Sequence, residues 1–257
     1  MTASEKFRSF ETILRKEIVR FTRIWPQTVI PSMMMMSLYF VIFGRFIGSQ
    51  LSDVGGFSYI QFIVPGLVMM SVITNSYSNV VSSFFSTKFQ KSIEELIVSP
   101  TPNYVIIAGY VCGGVARGLV VGTGVTLTSL FFEPLKMQHP GFVVIYITLT
   151  SILFSLAGFM NSVFAKKFDD ISIIPTFILT PLTYLGGVFY SINELPQFWQ
   201  NLSRFNPILY MINGFRYGFL GISDVNVYSG LAISIVFIVI LFSANLYLLK
   251  RGVGMKE

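Results

Sequence analysis

Long apolar runs separated by short polar breaks set the pattern of this chain. Six of them approach twenty residues, at 27–47, 59–85, 104–132, 141–165, 171–190 and 229–249. Runs of that length suit helices crossing a hydrocarbon core of about 30 Å, not the ten-residue alternation of an outer-membrane barrel. The fifth holds Pro175 and Pro181, which predicts a kink. It passes through Gly186-Gly187 into a polar turn at Asn193-Glu194-Leu195-Pro196, then turns apolar again with Asn206-Pro207 and Arg216 set inside it. A segment that leaves the hydrocarbon and returns must hide its unpaired backbone groups against protein or water. Residues 191–220 are therefore expected to form a re-entrant helical hairpin on the outer side. The pattern predicts an all-α polytopic membrane protein with six transmembrane helices, organised as one domain over 1–257.

Two amphipathic stretches lie outside these spans. In residues 5–25, Phe7, Phe10, Leu14, Ile18, Phe21 and Trp25 recur three or four apart, while Lys6, Arg8, Arg15, Lys16, Arg20 and Arg23 take the other faces. This predicts an N-terminal amphipathic interfacial helix in a headgroup layer, with Trp25 at its edge. Packing against a partner is the rival reading, and the two are compatible. The stretch contains no apolar core of signal-peptide length. Residues 87–103 open with Lys88 and Lys91, carry Ile93, Leu96 and Ile97 as an apolar patch around Glu94 and Glu95, and stop at Pro100 and Pro102. They are too polar to span and too patterned for a slack loop, although a solvated connector is the plainer alternative.

Polar marks inside the spans limit what the helices can do. Met33 to Met36 are consecutive, so they point around the whole helix and cannot converge on one ion; they read as packing and lipid-facing groups. Arg45 is expected to snorkel to the outer headgroups, ahead of a short loop near Ser52 to Phe57. In the second span Ser71, Asn75, Ser78, Asn79, Ser82 and Ser86 form a seam at helical spacing, which serves either helix-to-helix hydrogen bonds or a pathway. The third carries two small-residue ladders, Gly109-x3-Gly113 and Gly114-x3-Gly118-x3-Gly122, which predict close helix approach. Arg117 lies among them. A charge there costs roughly 2.5–3.5 kcal/mol on the insertion scale, so it requires a partner or a watery cavity.

Charge then fixes orientation. Thirteen basic residues fall on the side of the N-terminal arm, the 87–104 loop, the 166–170 turn and the tail, against four on the other. That places both termini in the cytoplasm. The net charge of +6 fits this rule and anionic lipid, so no nucleic-acid partner is implied. Only 12% of the chain is charged, and 53% is hydrophobic, which excludes an ordinary soluble domain. One cysteine, Cys112, and one histidine, His139, leave no basis for a disulfide framework or a metal site. No GxxxxGK[ST], HExxH, CxxC or GxSxG occurs, so no catalytic residue or ATP site is assigned. A secondary carrier or channel would need an ion-coupling residue or a repeated half, and neither is visible. A lipid-modifying enzyme would need a clustered His/Asp/Glu site.

The run Leu185 to Val188 (Leu-Gly-Gly-Val), followed by Leu195-Pro196, Asn206-Pro207 and Arg216 within 32 residues, resembles the signature of ABC-2 type transporter permeases, the membrane subunits of one class of ATP-driven exporter. The resemblance implies an interfacial helix before the first span, and a coupling helix at 87–103 that docks in a cleft of the ATPase. It further implies two copies of this chain with two ABC ATPase subunits in a bacterial inner membrane. ATP and Mg would be bound in those partners, and no cofactor in this chain. Carried onto this sequence, ATPase coupling falls on Lys91, Ile93, Glu94, Glu95, Leu96 and Val98. An external gate falls on Glu194, Pro196, Asn206, Pro207 and Arg216, with Arg216 expected to pair with a backbone carbonyl or with Glu194. Asn75, Asn79 and Arg117 are the expected pathway lining. With 26 Phe and 12 Tyr, the interior suits a lipid, glycolipid or drug-like cargo better than a small ion.

Overall fold

A computed structural model of the chain describes residues 1–48 and 54–254. Ser52 in the expected outer loop and Lys256 in the tail fall outside these residues, as do the side chains of Arg45 and Ile97. Among the described residues the fold is helical throughout, with no β-strand.

Helix α1 (Ala3–Arg23) starts at a capping box, in which Thr2 and Glu5 satisfy each other's backbone N–H groups. Trp25-Pro26 restarts the chain as α2 (Trp25–Tyr39), because proline suits the first turn, where its missing N–H is an orphan anyway. It widens into a π-helical segment over Phe40–Ile47. Then come α3 (Tyr59–Phe89), the short α4 (Ile93–Val98), α5 (Asn103–Ser129) and α6 (Pro140–Phe164). The expected kink is present. A run of fifteen residues comprises α7 (Asp170–Ile174), a π-turn over Pro175–Leu179 beginning at the proline, and α8 (Thr180–Tyr184). A 3-10 turn at Ile192–Glu194 leads to α9 (Gln197–Arg204), α10 (Pro207–Leu220) and α11 (Val227–Arg251).

Among the described residues five helices are long and apolar enough to cross a membrane: Trp25–Gly44, Tyr59–Phe89, Asn103–Ser129, Pro140–Phe164 and Val227–Arg251. They match five of the six expected spans. The 171–190 segment is helical only to Tyr184 and is broken at its prolines, so it does not meet that length.

Burial ranks the helices. In the apolar window of α3, 83% of residues are buried, against 17% for the α2 span and 11% for α11. Helix α3 is thus the axis of the bundle. One end packs through Phe62, Ile63, Leu67 and Val72 against α6 and α10. The other packs through Val80 and Phe84 into a second cluster with Ile106, Tyr110, Phe159 and Leu249 from α5, α6 and α11. The outer faces of α2 and α11 carry large exposed apolar side chains, among them Met34, Met35, Ile235 and Ile240, as lipid-facing helices do.

Both glycine ladders on α5 are used. Gly114, Gly118 and Gly122 admit Val80, Ser76 and Val72 of α3 together with Ser155, Ser151 and Ile147 of α6. Gly109 and Gly113 face Ile13 and Glu17 of α1, and a Cβ at Gly109 would lie 2.6 Å from Ile13. Contacts on both helices advance by four residues, so α1 runs alongside α5 in the same direction. Its buried stripe is Ile13, Glu17 and Phe21. This differs from the expected apolar stripe, of which Phe7 and Trp25 are exposed. A carboxylate is tolerated in the stripe because α3 supplies a donor for it.

Candidate functional site

Three places collect the expected site residues. The first is α4. The backbone enters it through Lys91 at φ 60°, a left-handed conformation that sharpens the turn out of α3. Lys88, just before, donates from Nζ to the carbonyls of Val163 (2.9 Å) and Ala165 (2.7 Å). That fastens the end of α3 to the end of α6. Ile93 is buried in the cluster with Phe84, Tyr110 and Phe159, with Leu96 half-buried beside it. Lys91, Glu94, Glu95 and Val98 are exposed, Val98 by 85%. Of the six expected coupling residues, Ile93 therefore roots the helix and the exposed four present a surface.

The second is the hairpin. Three residues past the end of α8, Gly187 adopts φ 76° and turns the chain, and the carbonyls of Gly187 and Val188 face inward. Arg216 on α10 is buried and meets them. Its Nη2 donates to Gly187 at 2.6 Å and to Val188 at 3.5 Å, and its Nε donates to the Phe62 carbonyl at 3.3 Å. Its guanidinium carbon lies 3.9 Å from the centre of the Phe62 ring. The partner is thus backbone carbonyl. Glu194 is exposed, as is Pro196, which caps α9. Asn206 caps α10 by accepting from the Ile208 N–H (3.0 Å) and donates to the Leu182 carbonyl (2.6 Å), with Pro207 at the first helical position. The carboxylate that binds the hairpin is Asp224, which sequence reasoning missed. It accepts from Ser191 Oγ (2.7 Å) and the Ile192 N–H (3.0 Å), while its own N–H donates to Asn213 (2.9 Å).

The third is the seam on α3. Asn75 accepts from Arg117 Nη2 (3.1 Å) and donates to Ser32 of α2 (3.1 Å). One turn away, Asn79 accepts from Arg20 Nη2 on both Oδ1 (2.9 Å) and its carbonyl (2.8 Å). Arg20 is ion-paired with the fully buried Glu17 at 3.1 Å, and Ser83 Oγ donates to that carboxylate at 2.5 Å. Asn75 and Asn79 are both buried in these helix-to-helix bonds. Of the seam, Ser78, Ser82 and Ser86 stay half-buried, and Thr74 beside it is exposed. A cavity of 40 Å³ beside it is lined by Met70, Thr74, Tyr77, Pro175, Leu179 and Thr183. Tyr39 at the end of α2 and Phe43 of the π-helical segment meet Tyr184 and Phe189 near the far end of the fifth segment, with Phe43 and Phe189 ring centres 4.8 Å apart.

Sequence reasoning missed Glu17, Arg20 and Ser83 as a unit. A signal was available: Glu17 sits four residues from both Ile13 and Phe21, and that spacing matches Gly109-x3-Gly113. Among the described residues, no group of three His, Cys, Asp or Glu could hold a metal. The arrangement offers docking, gating and polar lining.

The family model described as "ABC-2 type transporter" matches residues 8–220. The chain is 60% identical over 249 residues to "Inner membrane transport permease YadH" of Escherichia coli (strain K12), covering 97% of each. It is 22% identical over 215 residues to "Nodulation protein J" of Rhizobium leguminosarum bv. viciae, covering 83% of each. A "Nodulation protein J" of Rhizobium meliloti (strain 1021) is 23% identical over 215 residues, covering 83% of this chain and 82% of that protein.

Proposed function

The chain belongs to the ABC-2 type transporter family, and from that premise we propose that it is the membrane subunit of an ATP-driven exporter in a bacterial inner membrane. Two copies work with two separate ABC ATPase subunits, which bind ATP and Mg. The cargo is hydrophobic or amphipathic: a lipid, glycolipid or drug-like molecule. The 170–184 run is the fifth of six crossings. At fifteen residues it is about 22 Å long, and the hairpin built from α9 and α10 re-enters beside it to complete the passage. Both termini lie in the cytoplasm.

The observation that carries this reading is α4. A helix with a buried root and exposed charges at the end of a bundle can transmit force, because a push on Glu94 or Glu95 reaches α3, α5 and α6 through Ile93. The ATPase docks on Lys91, Glu94, Glu95 and Val98, with Leu96 at the rim. Its closure rocks α3, whose exposed Thr74 and half-buried Ser78 and Ser82 line the path. Arg216, Asn206 and Pro207 hold the external gate, and Glu194 and Pro196 shape its rim.

Pull-down of the tagged full chain from gently solubilised membranes tests it. A stoichiometric ATPase is expected with the wild type. Glu94→Lys with Glu95→Lys leaves the chain inserted and lowers ATPase recovery at least about tenfold, roughly 1.4 kcal/mol of docking energy. A stable oligomer that purifies without any ATPase and still transports would replace this reading with a secondary carrier or channel.

A further inference from the structure

We infer that Arg20 and Arg117 form a binding site for the phosphate of an anionic membrane lipid. Their partners on α3, Asn79 and Asn75, are one turn apart, so the anchor points differ by about 6 Å along the axis. A phosphate between two guanidiniums bridges such a gap, with charge-assisted bonds of about 2.8 Å on either side. Among the described residues each guanidinium engages the protein through Nη2. The Nε of each is buried without an acceptor, as is Nδ2 of the fully buried Asn79.

The local charge does not balance. Two guanidiniums share one carboxylate, Glu17, which is already committed to Arg20 and Ser83. Among the described residues Arg117 makes no ion pair, and its anchor on α3 lies one turn from that of Arg20. A cation inside a span draws an anion or water to itself. Arg20 keeps 30% of its side chain exposed and Arg117 is only partly covered, so the pair is reachable from the bundle surface. Arg117 leans toward the start of α5, because side chains on a helix tilt toward its N-terminus. In the orientation proposed above, that is the cytoplasmic side.

The surroundings select a lipid. Val19, Ile24, Trp25 and Val120, close in sequence to the pair on α1, α2 and α5, are exposed and apolar. They give acyl chains a surface that a free anion does not use. One surplus positive charge matches a phosphodiester headgroup with one negative charge.

Native mass spectrometry of the full chain in mild detergent tests the site. The probes are phosphatidylglycerol, phosphatidylcholine with the same acyl chains, and inorganic phosphate. The wild type is expected to retain phosphatidylglycerol about fivefold over phosphatidylcholine, the scale of one surface cation's worth of lipid attraction. Arg117→Gln keeps a donor for Asn75 but removes the charge, and it brings the two lipids level; Arg117→Lys keeps most of the preference. Equal retention of both lipids by the wild type, or an unchanged preference in Arg117→Gln, overturns the site. Displacement of the lipid by equimolar inorganic phosphate overturns the lipid as its source. If Arg117→Gln does not survive purification, Glu17→Gln with Arg20→Gln removes one charge of each sign. A several-fold loss of preference is then expected, and no loss rejects the two-arginine site.

Discussion

Arg117 and Arg216 both sit inside the bundle, yet the fold meets them by different means. Arg216 is enclosed by carbonyls of Phe62, Gly187 and Val188 and stacked on a ring. Those acceptors exist because helix ends at Tyr184 and the chain turns at Gly187, which frees backbone groups for a cation to collect. Arg117 projects from an unbroken helix, where every neighbouring backbone group on α5 is already used. Its partner has to be a side chain, Asn75, and one amide oxygen leaves most of its donors unspent. A broken segment can sequester most of a charge, with only Nη1 of Arg216 left without an acceptor; a regular one leaves more of it available. Arg216 therefore reads as architecture and Arg117 as chemistry in waiting.

The sharpest way to break this contrast is Arg216→Ala. Three carbonyls lose a charged donor, and hydrogen bonds to charged groups are worth about 1.5–3 kcal/mol each. A loss of roughly 3–5 kcal/mol is expected in detergent unfolding. Arg216→Lys recovers only part of it, because an ammonium does not span diverging acceptors as a guanidinium fork does. Wild-type stability in Arg216→Ala would show that the carbonyl cage does not hold the hairpin. Glu17→Gln has the next largest effect. It leaves Arg20 beside Arg117 without a counter-charge, at a cost of about 2 kcal/mol after allowing for the partial exposure of Arg20. Adding Arg20→Gln should restore part of the loss; additive losses in that double-mutant cycle would argue that the pair is uncoupled.

The smallest effect concerns Asp170, the first residue of α7, which belongs to the polar 166–170 turn outside the apolar stretch that begins at Ile171. Its carboxylate accepts the backbone N–H of Lys166 (2.8 Å) and of Lys167 (2.9 Å), and those two bonds hold its pKa below the usual value. The depressed value means the contribution is present above the unfolded carboxylate pKa of about 3.9 and fades as pH falls through the lower folded value. Asp170→Asn should lower stability slightly at neutral pH and flatten the acid limb of a pH–stability profile, so that variant and wild type converge at low pH. An unaltered acid limb would assign that limb to other carboxylates.

What was legible in the sequence follows from the same contrast. Regular elements announce themselves by period and length, so five spans appear within a few residues of their expected ends. The small-residue ladders on α5 predicted close approach, and Arg216 was expected on a carbonyl or on Glu194; the carbonyls have it. Side chains that serve tertiary contacts were harder to see. Glu17 lies among six basic residues and looks solvated until Gly113 and Ser83 are placed against it. Asp224 sits in an ordinary turn sequence, and only the return of Ser191 and Ile192 to its side gives it a role. Ile93 looked like part of a docking patch because periodicity shows which residues share a face, not which way that face points.

The seating of α1 on Gly109 and Gly113 has a consequence for biogenesis. The groove that receives Ile13 and Glu17 is translated about a hundred residues after them, a wait on the order of 5–20 s at ribosomal speeds. Through that interval the amphipathic N-terminal helix has no seat in its own chain. The bilayer surface is the natural place for it to wait, and insertion of α5 is the event that releases it into the fold.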